Sequence, residues 1–403
     1  IPVKETADDL RNDIDAQMEI TFKVTDPRST TAVRETHNGI LDTLKKEIDS
    51  KKQNLNNTEV GTLRAAELIK YKEELGMSGH ICITPKTERE LEAIGQSMLT
   101  GKPVFLHGPT GTGKTSLAEF AAFRYTGKNA EMVYCNPQTR ESNVWGKTGL
   151  EPVGDKGAMR TVDVYGPLAR AMRDGKVVIF DEFTALPREQ MVFIKGVFGK
   201  KVGDNVPVVG NGSVTIAPGF QMIFTANLKS EKNPERQDLP PELAREFEQN
   251  NIEIHYSSPS EAYDIMRARL MNRDGSLDMS LHDLKVTLPN LCRVMADIQE
   301  SYVNETNKDV AKLAGAEDSS GKVHSLKKFV MTQGSIEAML SYWHIEKELG
   351  RRNWSFVEFL DERFKTALTF REYPKEDRIL VAKMLASKGF LRTLTAKGLG
   401  LTE

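Results

Sequence analysis

The hydrophobic rhythm of the chain changes twice. Residues 1–80 are polar and charged, yet Val33, Ile40, Leu41, Leu44 and Ile48 recur at helical spacing, and Leu63, Ala66 and Ile69 form a second stripe. This spacing predicts a helical N-terminal region. Thr87 and Glu90 then stand three apart, just before Leu91, Ile94 and Met98, which predicts a boxed helix start leading into a strand at Val104-Phe105-Leu106. From there the pattern alternates. Short apolar runs (Val104–Leu106, Met132–Cys135, Val177–Phe180, Met222–Thr225 and Ile252–Ile254) are separated by helical stretches, as in a parallel sheet buried on both faces. After Ser257 the helical period returns, with Ala262, Ile265, Met266 and Leu270 on one face, and the small polar stretch Gly315–Gly321 reads as a loop. No internal repeat is evident. The predicted fold class is α/β: a three-layer sandwich around a parallel sheet, preceded by a helical region and followed by a helical layer.

Composition sets limits around that picture. A chain of 403 residues has room for two or three compact domains. Charged residues make up 28% and hydrophobic ones 39%, the balance of a folded globular protein. A net charge of −2 creates no overall field for nucleic acid or anionic lipid, so neither is indicated as a partner. Cys82, Cys135 and Cys292 lie far apart, without CxxC spacing or accompanying histidines, and imply neither a disulfide framework nor a zinc site. A reducing cytoplasm suits them. Lys4, Glu5, Asp8 and Asp9 occupy the place where a secretory peptide needs an apolar run, and no stretch approaches the ~20 apolar residues of a spanning helix. The first residue is Ile1, as expected of a piece cut from a longer polypeptide. Tyr342-Trp343-His344 lacks metal spacing and is expected in the core or on the surface.

The chemistry starts at Gly108-Pro109-Thr110-Gly111-Thr112-Gly113-Lys114-Thr115, which satisfies GxxxxGK[ST] between a predicted strand and a predicted helix, Ser116 to Phe123. Its glycines let consecutive N–H groups turn toward phosphate oxygens. Lys114 supplies a positive charge for the β- and γ-phosphates, and the Thr115 hydroxyl suits Mg²⁺. The buried strand Val177–Phe180 then ends in Asp181 and Glu182. Carboxylates at the carboxyl end of a parallel strand reach the ligand crevice, where Asp181 is placed to hold the Mg²⁺ shell and Glu182 to deprotonate an attacking water. A further strand delivers Asn227, an amide that can bond water or phosphate without adding negative charge. Arg245 sits on a short helix, Leu239 to Phe247, before the next strand. No NKxD-like guanine-reading motif stands out, so ATP is expected rather than GTP.

The order of these elements resembles AAA+ ATPases of the P-loop NTPase class, and more narrowly their MoxR and dynein-related (midasin-like) branch, closely over residues 81–247 and loosely beyond. Gly166-Pro167-Leu168-Ala169-Arg170-Ala171-Met172-Arg173-Asp174-Gly175 resembles the approach to the carboxylate strand in that branch. Asn136 to Val164 occupies the place of its helix-two insertion, and Val202 to Ala217, turning at Gly210-Asn211-Gly212, that of its inserted β-hairpin. The resemblance implies a nucleotide-binding core over 81–256, a helical lid over 257–372 and a C-terminal helical cap over 373–403. It implies ATP and Mg²⁺ as ligands, held by residues 108–116 including Ser116, with Asn227 as first sensor and Arg245 as an arginine finger acting on a neighbouring subunit. A ring of identical subunits, usually six, that remodels a protein client follows. Thr332-Gln333-Gly334-Ser335-Ile336-Glu337 lacks the second-sensor arginine of the branch, and nothing in the sequence selects Arg293 or Arg267 in its place. The alternatives are a nucleotide-gated assembly or signalling scaffold with little turnover, a restriction-type motor using GTP, and a motor on DNA.

Overall fold

The computed structural model describes residues 81–153, 158–208, 212–227, 235–270, 279–303, 325–349 and 355–392. The helices expected in 1–80, the hairpin turn at Gly210-Asn211 and the loop at 315–321 lie outside the described residues. Among those described, the chain forms two compact units, 81–108 with 113–254, and 109–112 with 255–392.

Helix α1 (Pro85–Leu99) opens the first unit, ahead of where the Thr87 pattern puts it. Thr84 is the N-cap, its Oγ1 accepting from the Thr87 N–H at 3.2 Å, and Pro85 takes the first helical turn. Proline's fixed φ and missing donor suit that position. There follow β1 (Val104–His107), α2 (Lys114–Thr126), β2 (Glu131–Tyr134), α3 (Glu141–Trp145), β3 (Gly146–Val153), β4 (Ala158–Tyr165), α4 (Pro167–Asp174), β5 (Val177–Asp181), α5 (Arg188–Met191), β6 (Asn205–Pro207), β7 (Ser213–Thr215), β8 (Gln221–Ala226), α6 (Pro241–Phe247) and β9 (Asn251–Glu253). Five strands form one sheet in the order β2-β5-β8-β1-β9, with every neighbouring pair parallel. The interval 136–164 contains α3 and most of the antiparallel hairpin β3–β4, and 202–217 contains the shorter pair β6–β7.

Alternation along the strands explains why the sheet has a layer on each face. Val104, Leu106, Val177, Ile179 and Ile223 join Leu91, Ile94 and Met98 of α1 and Leu117, Ala118, Ala121 and Tyr125 of α2 in one aliphatic core. The intervening residues Phe105, Val178, Phe180, Met222 and Phe224 join Leu168, Ala171 and Met172 of α4 and Phe247 of α6 in the other. That second core is aromatic, with Phe180 and Phe224 stacked at 4.8 Å and Phe105 and Phe247 at 4.7 Å between ring centroids.

The second unit contains α7 (Pro259–Leu270), α8 (Leu288–Val303), α9 (Gln333–Glu348), α10 (Phe356–Thr369) and α11 (Lys375–Ser387) around a single core. Ala262, Met266 and Leu270 lie in it, and Trp343 packs against Phe356 and Phe359. Helix α11 adds Leu380, Val381, Met384 and Leu385 to the same core. Asp377, only 2% exposed, accepts the backbone N–H groups of Lys327, Lys328 and Phe329 at 2.7–3.1 Å, so three donors satisfy a carboxylate that burial would otherwise penalise. No described helix is long and apolar enough to cross a membrane.

One contact in the aliphatic core reverses an ordinary rule. Tyr125 Oη donates to the Leu91 carbonyl at 2.7 Å, and its ring lies where a Cβ on Gly95 would sit, 2.6 Å from Cζ. Helix propensity favours Gly95→Ala by about 1 kcal/mol. The clash with a buried ring outweighs it, so Gly95→Ala is expected to destabilise by about 1–3 kcal/mol. The midpoint of urea unfolding checks this, and Tyr125→Leu in the same chain should recover part of the loss.

Candidate active site

Strands β1, β5 and β8 lie side by side and parallel, so their carboxyl ends open on one edge of the sheet. Gly108 leaves β1 at φ 150°, and a Cβ there would lie 2.1 Å from the Ile254 carbonyl oxygen, so only glycine fits the exit. Gly113 caps α2, and Lys114, Thr115 and Ser116 form its first turn, with Thr115 and Ser116 half-buried. The tip of the loop, Pro109–Thr112, belongs to the second unit. There Thr112 Oγ1 donates to the Pro109 carbonyl at 3.1 Å and Tyr256 Oη to the Thr110 carbonyl at 2.7 Å. Gly111, on the same tip, is exposed.

Lys114 is 8% exposed, and its Nζ donates to the Gly108 carbonyl at 3.0 Å and to Asn227 Oδ1 at 2.9 Å. Burial pushes its pKa down to about 8, and the positive charge of Arg236 adds to that, while Glu182 and Asp181 pull the other way. Asn227, 5% exposed at the exit of β8, also accepts at its backbone carbonyl from Thr184 Oγ1 at 2.7 Å.

Asp181 ends β5. Its Oδ1 accepts from Thr115 Oγ1 and from Thr225 Oγ1, each at 2.6 Å, which joins the phosphate loop to two strands through one carboxylate oxygen. A hydroxyl beside a carboxylate is the hard-oxygen pair that Mg²⁺ takes, so Thr115 and Asp181 fit that ion. Glu182 differs from its neighbour. Its backbone is left-handed (φ 55°, ψ 41°), a conformation that costs a side-chain-bearing residue about 1–2 kcal/mol. The Thr225 hydroxyl accepts its backbone N–H at 3.0 Å, and its side chain is 48% exposed. Arg236 Nη2 donates to Glu182 Oε2 at 2.6 Å. Beneath this edge Cys135, whose N–H donates to the Asp181 carbonyl, has its thiol pKa pushed up to about 12 by burial, with Asp181 and then Glu182 adding to the shift.

The structure thus brings together Gly108, Lys114, Thr115, Asp181, Glu182 and Asn227. Arg245 stands apart on α6, exposed and with no ion-pair partner among the described residues. In the second unit, Arg267 lies over the Tyr263 ring at 5.3 Å and Arg293 donates to Asn290 Oδ1 at 3.3 Å. Neither arrangement marks its arginine as a second sensor. Thr225, Thr184 and Arg236 were missed in the sequence. Thr225 had a usable signal, being the polar residue inside the apolar run that leads to Asn227. Arg236 had none, as it lies in a polar segment without periodicity.

The arrangement can hold a polyphosphate at Lys114, a divalent cation at Thr115 and Asp181, and a proton acceptor at Glu182. The family described as AAA domain (dynein-related subfamily) matches residues 103–247. Among curated relatives, the uncharacterized protein YehL of Escherichia coli (strain K12) is 28% identical over 166 residues, 41% of this chain and 45% of YehL. The uncharacterized protein YojN of Bacillus subtilis (strain 168) is 28% identical over 175 residues, 40% of this chain and 54% of YojN. The chain spans about half the length of the curated relatives it matches. Two solved structures overlap more loosely. A closed-state reconstruction of Hsp104 with ATPyS and casein has a TM-score of 0.37 at 16% identity, covering 63% of this chain and 48% of that one. A putative ATPase from Cytophaga hutchinsonii has a TM-score of 0.35 at 17% identity, covering 64% and 72%. The match over residues 103–247 falls on the strands and the loop that assemble the site, and this segment belongs to the AAA domains of the dynein-related subfamily.

Proposed function

We propose that the chain hydrolyses ATP and works as a ring-forming remodeller of a protein client. The observation that carries the hydrolytic part is the meeting of Thr115, Asp181, Glu182, Lys114 and Asn227 at the carboxyl ends of adjacent parallel strands. On this reading residues 108–116 cradle the phosphates, and Lys114 exchanges its neutral acceptors for β- and γ-phosphate oxygens. Thr115 and Asp181 hold Mg²⁺, which when bound neutralises charge on the β- and γ-phosphates. Glu182 takes a proton from the attacking water as its oxygen bonds to the γ-phosphorus. The bond from that phosphorus to the bridging oxygen breaks, leaving ADP and phosphate, and Asn227 directs the water with its amide.

The exposed guanidinium of Arg245, which has no ion-pair partner among the described residues, supports the ring. A planar permanent cation on the surface is suited to a neighbouring subunit's phosphoryl group. The hairpins β3–β4 and β6–β7 are read as the client-contacting insertions, within a core of 81–256, a lid of 257–372 and a cap of 373–403, in a cytoplasmic protein. A second reading, nucleotide-gated assembly with little turnover, is favoured by one observation, the engagement of Glu182 by Arg236.

Nucleotide binding and turnover separate these readings. Lys114→Ala is expected to abolish binding of ATP, titrated beside GTP because the phosphate contacts do not read the base. Glu182→Gln should keep binding while slowing turnover about 10²- to 10⁴-fold, and a Glu182→Gln protein hydrolysing at the unmodified rate overturns the assignment. Equal turnover by both proteins at a level barely above buffer favours the gated assembly instead.

Arg245→Ala should slow hydrolysis about 10³-fold or more without loss of nucleotide affinity. Mixing it with the Glu182→Gln protein pairs an intact base with an intact finger at some interfaces. Recovery of activity on mixing is expected if the finger acts between subunits, and strictly additive rates argue against it.

A further inference from the structure

Glu182 is the one carboxylate of the pair that is open to solvent. Asp181 is held by two hydroxyls, whereas the Glu182 side chain is 48% exposed and contacts Arg236 through Oε2. The arginine is the fixed partner. Its side chain is 12% exposed, and its Nε faces a second acid, Glu235, at 3.5 Å. The segment behind it is anchored: the Gln237 N–H donates to the Thr184 carbonyl at 2.9 Å, and the Thr184 hydroxyl donates to the Asn227 carbonyl at 2.7 Å. Arg236 is therefore tied to the exits of both β5 and β8, at the edge where the base must work.

A general base needs a lone pair directed at its water. The guanidinium at 2.6 Å engages one lone pair of Oε2, and the ion pair holds the whole carboxylate in one rotamer, turned toward the arginine. Resting on the assignment of Glu182 as the base, we propose that Arg236 is a brake on hydrolysis, sequestering Glu182 so that the ion pair must open before water can be activated. The brake adds the strength of one part-exposed ion pair to the barrier. It makes basal turnover slow without touching the phosphate contacts of Lys114 or the oxygens of Thr115 and Asp181. It also lies on the chain segment that leads directly into α6 and Arg245, so the part of the subunit that reaches its neighbour also holds its own base.

The test is steady-state hydrolysis by the full chain with Arg236→Ala, Arg236→Lys and Arg236→Gln, alone and combined with Glu182→Gln, with ATP affinity measured separately by binding. Arg236→Ala is expected to raise kcat by up to about fivefold, the worth of a part-exposed ion pair, with KM and binding affinity changed less than about twofold. Arg236→Lys keeps a charge without the planar fork and should fall between the two rates. Arg236→Gln ranks with Arg236→Ala and decides the matter if the alanine protein does not fold. The double variants should be as slow as Glu182→Gln. A kcat that is unchanged or lower in Arg236→Ala or Arg236→Gln, while Glu182→Gln is inactive, overturns the brake and leaves the base assignment standing. Full activity in Glu182→Gln overturns both.

Discussion

The register between β1, β5 and β8 governs the site, because each functional group is a neighbour of the next only if the three strands end at the same level. His107 pairs with Ala226, which sets Gly108 beside Asn227, and Phe180 pairs with Phe224, which sets Asp181 beside Thr225. Parallel strands buried on both faces have no polar side to fix such a register. Here the two faces are chemically different: aliphatic residues meet α1 and α2, while phenylalanines meet α4 and α6. A slip of one residue would exchange the faces, driving Phe180 and Phe224 into a layer filled by Ile179, Ile223 and the alanines of α2. The aromatic stack therefore aligns the strands, and the alignment makes the site.

Within that frame two adjacent carboxylates acquire different characters. Asp181 ends a regular strand, and both its hydroxyl partners come from elements fixed by the sheet, so its position is set by the core. Glu182 follows in a left-handed turn that only its surroundings maintain, notably the Thr225 hydroxyl that accepts its N–H. Thr225 serves both acids through one oxygen, donating to the first and accepting from the second. One side chain thus links the group suited to a metal with the group suited to a proton.

The parts of this arrangement that were legible in the sequence are those written in consecutive residues. Residues 108–115 carry their loop in their own glycines, and a buried strand ending in two acids announces itself by its abrupt change of polarity. Contacts that depend on pairing between distant segments were not. Thr225 matters because β8 lies beside β5, and Arg236 because an aperiodic segment returns over the strand ends. Gly95 matters because the Tyr125 ring comes from another helix. Even the start of α1 was misplaced, since the Thr87-to-Glu90 pattern competed with Thr84-Pro85, and proline's fixed φ decided the outcome.

Asn227 explains how such a site can wait for its ligand. A buried ammonium needs acceptors, and two of those that Lys114 finds, the Gly108 carbonyl and the Asn227 amide oxygen, are neutral and take a hydrogen each without cancelling its charge. Burial lowers its pKa against the opposing pull of Glu182 and Asp181. An aspartate at 227 would pair with Lys114 more strongly, but it would set a third carboxylate beside Asp181 and Glu182 and repel a polyphosphate. It would also remove the two amide hydrogens that asparagine keeps on its other atom. On the proposed reading, an incoming phosphate offers Lys114 the charge it lacks and draws it from the amide oxygen. The same amide is then free to reorient toward water, so that occupancy of the phosphate loop is passed directly to the residue that senses it.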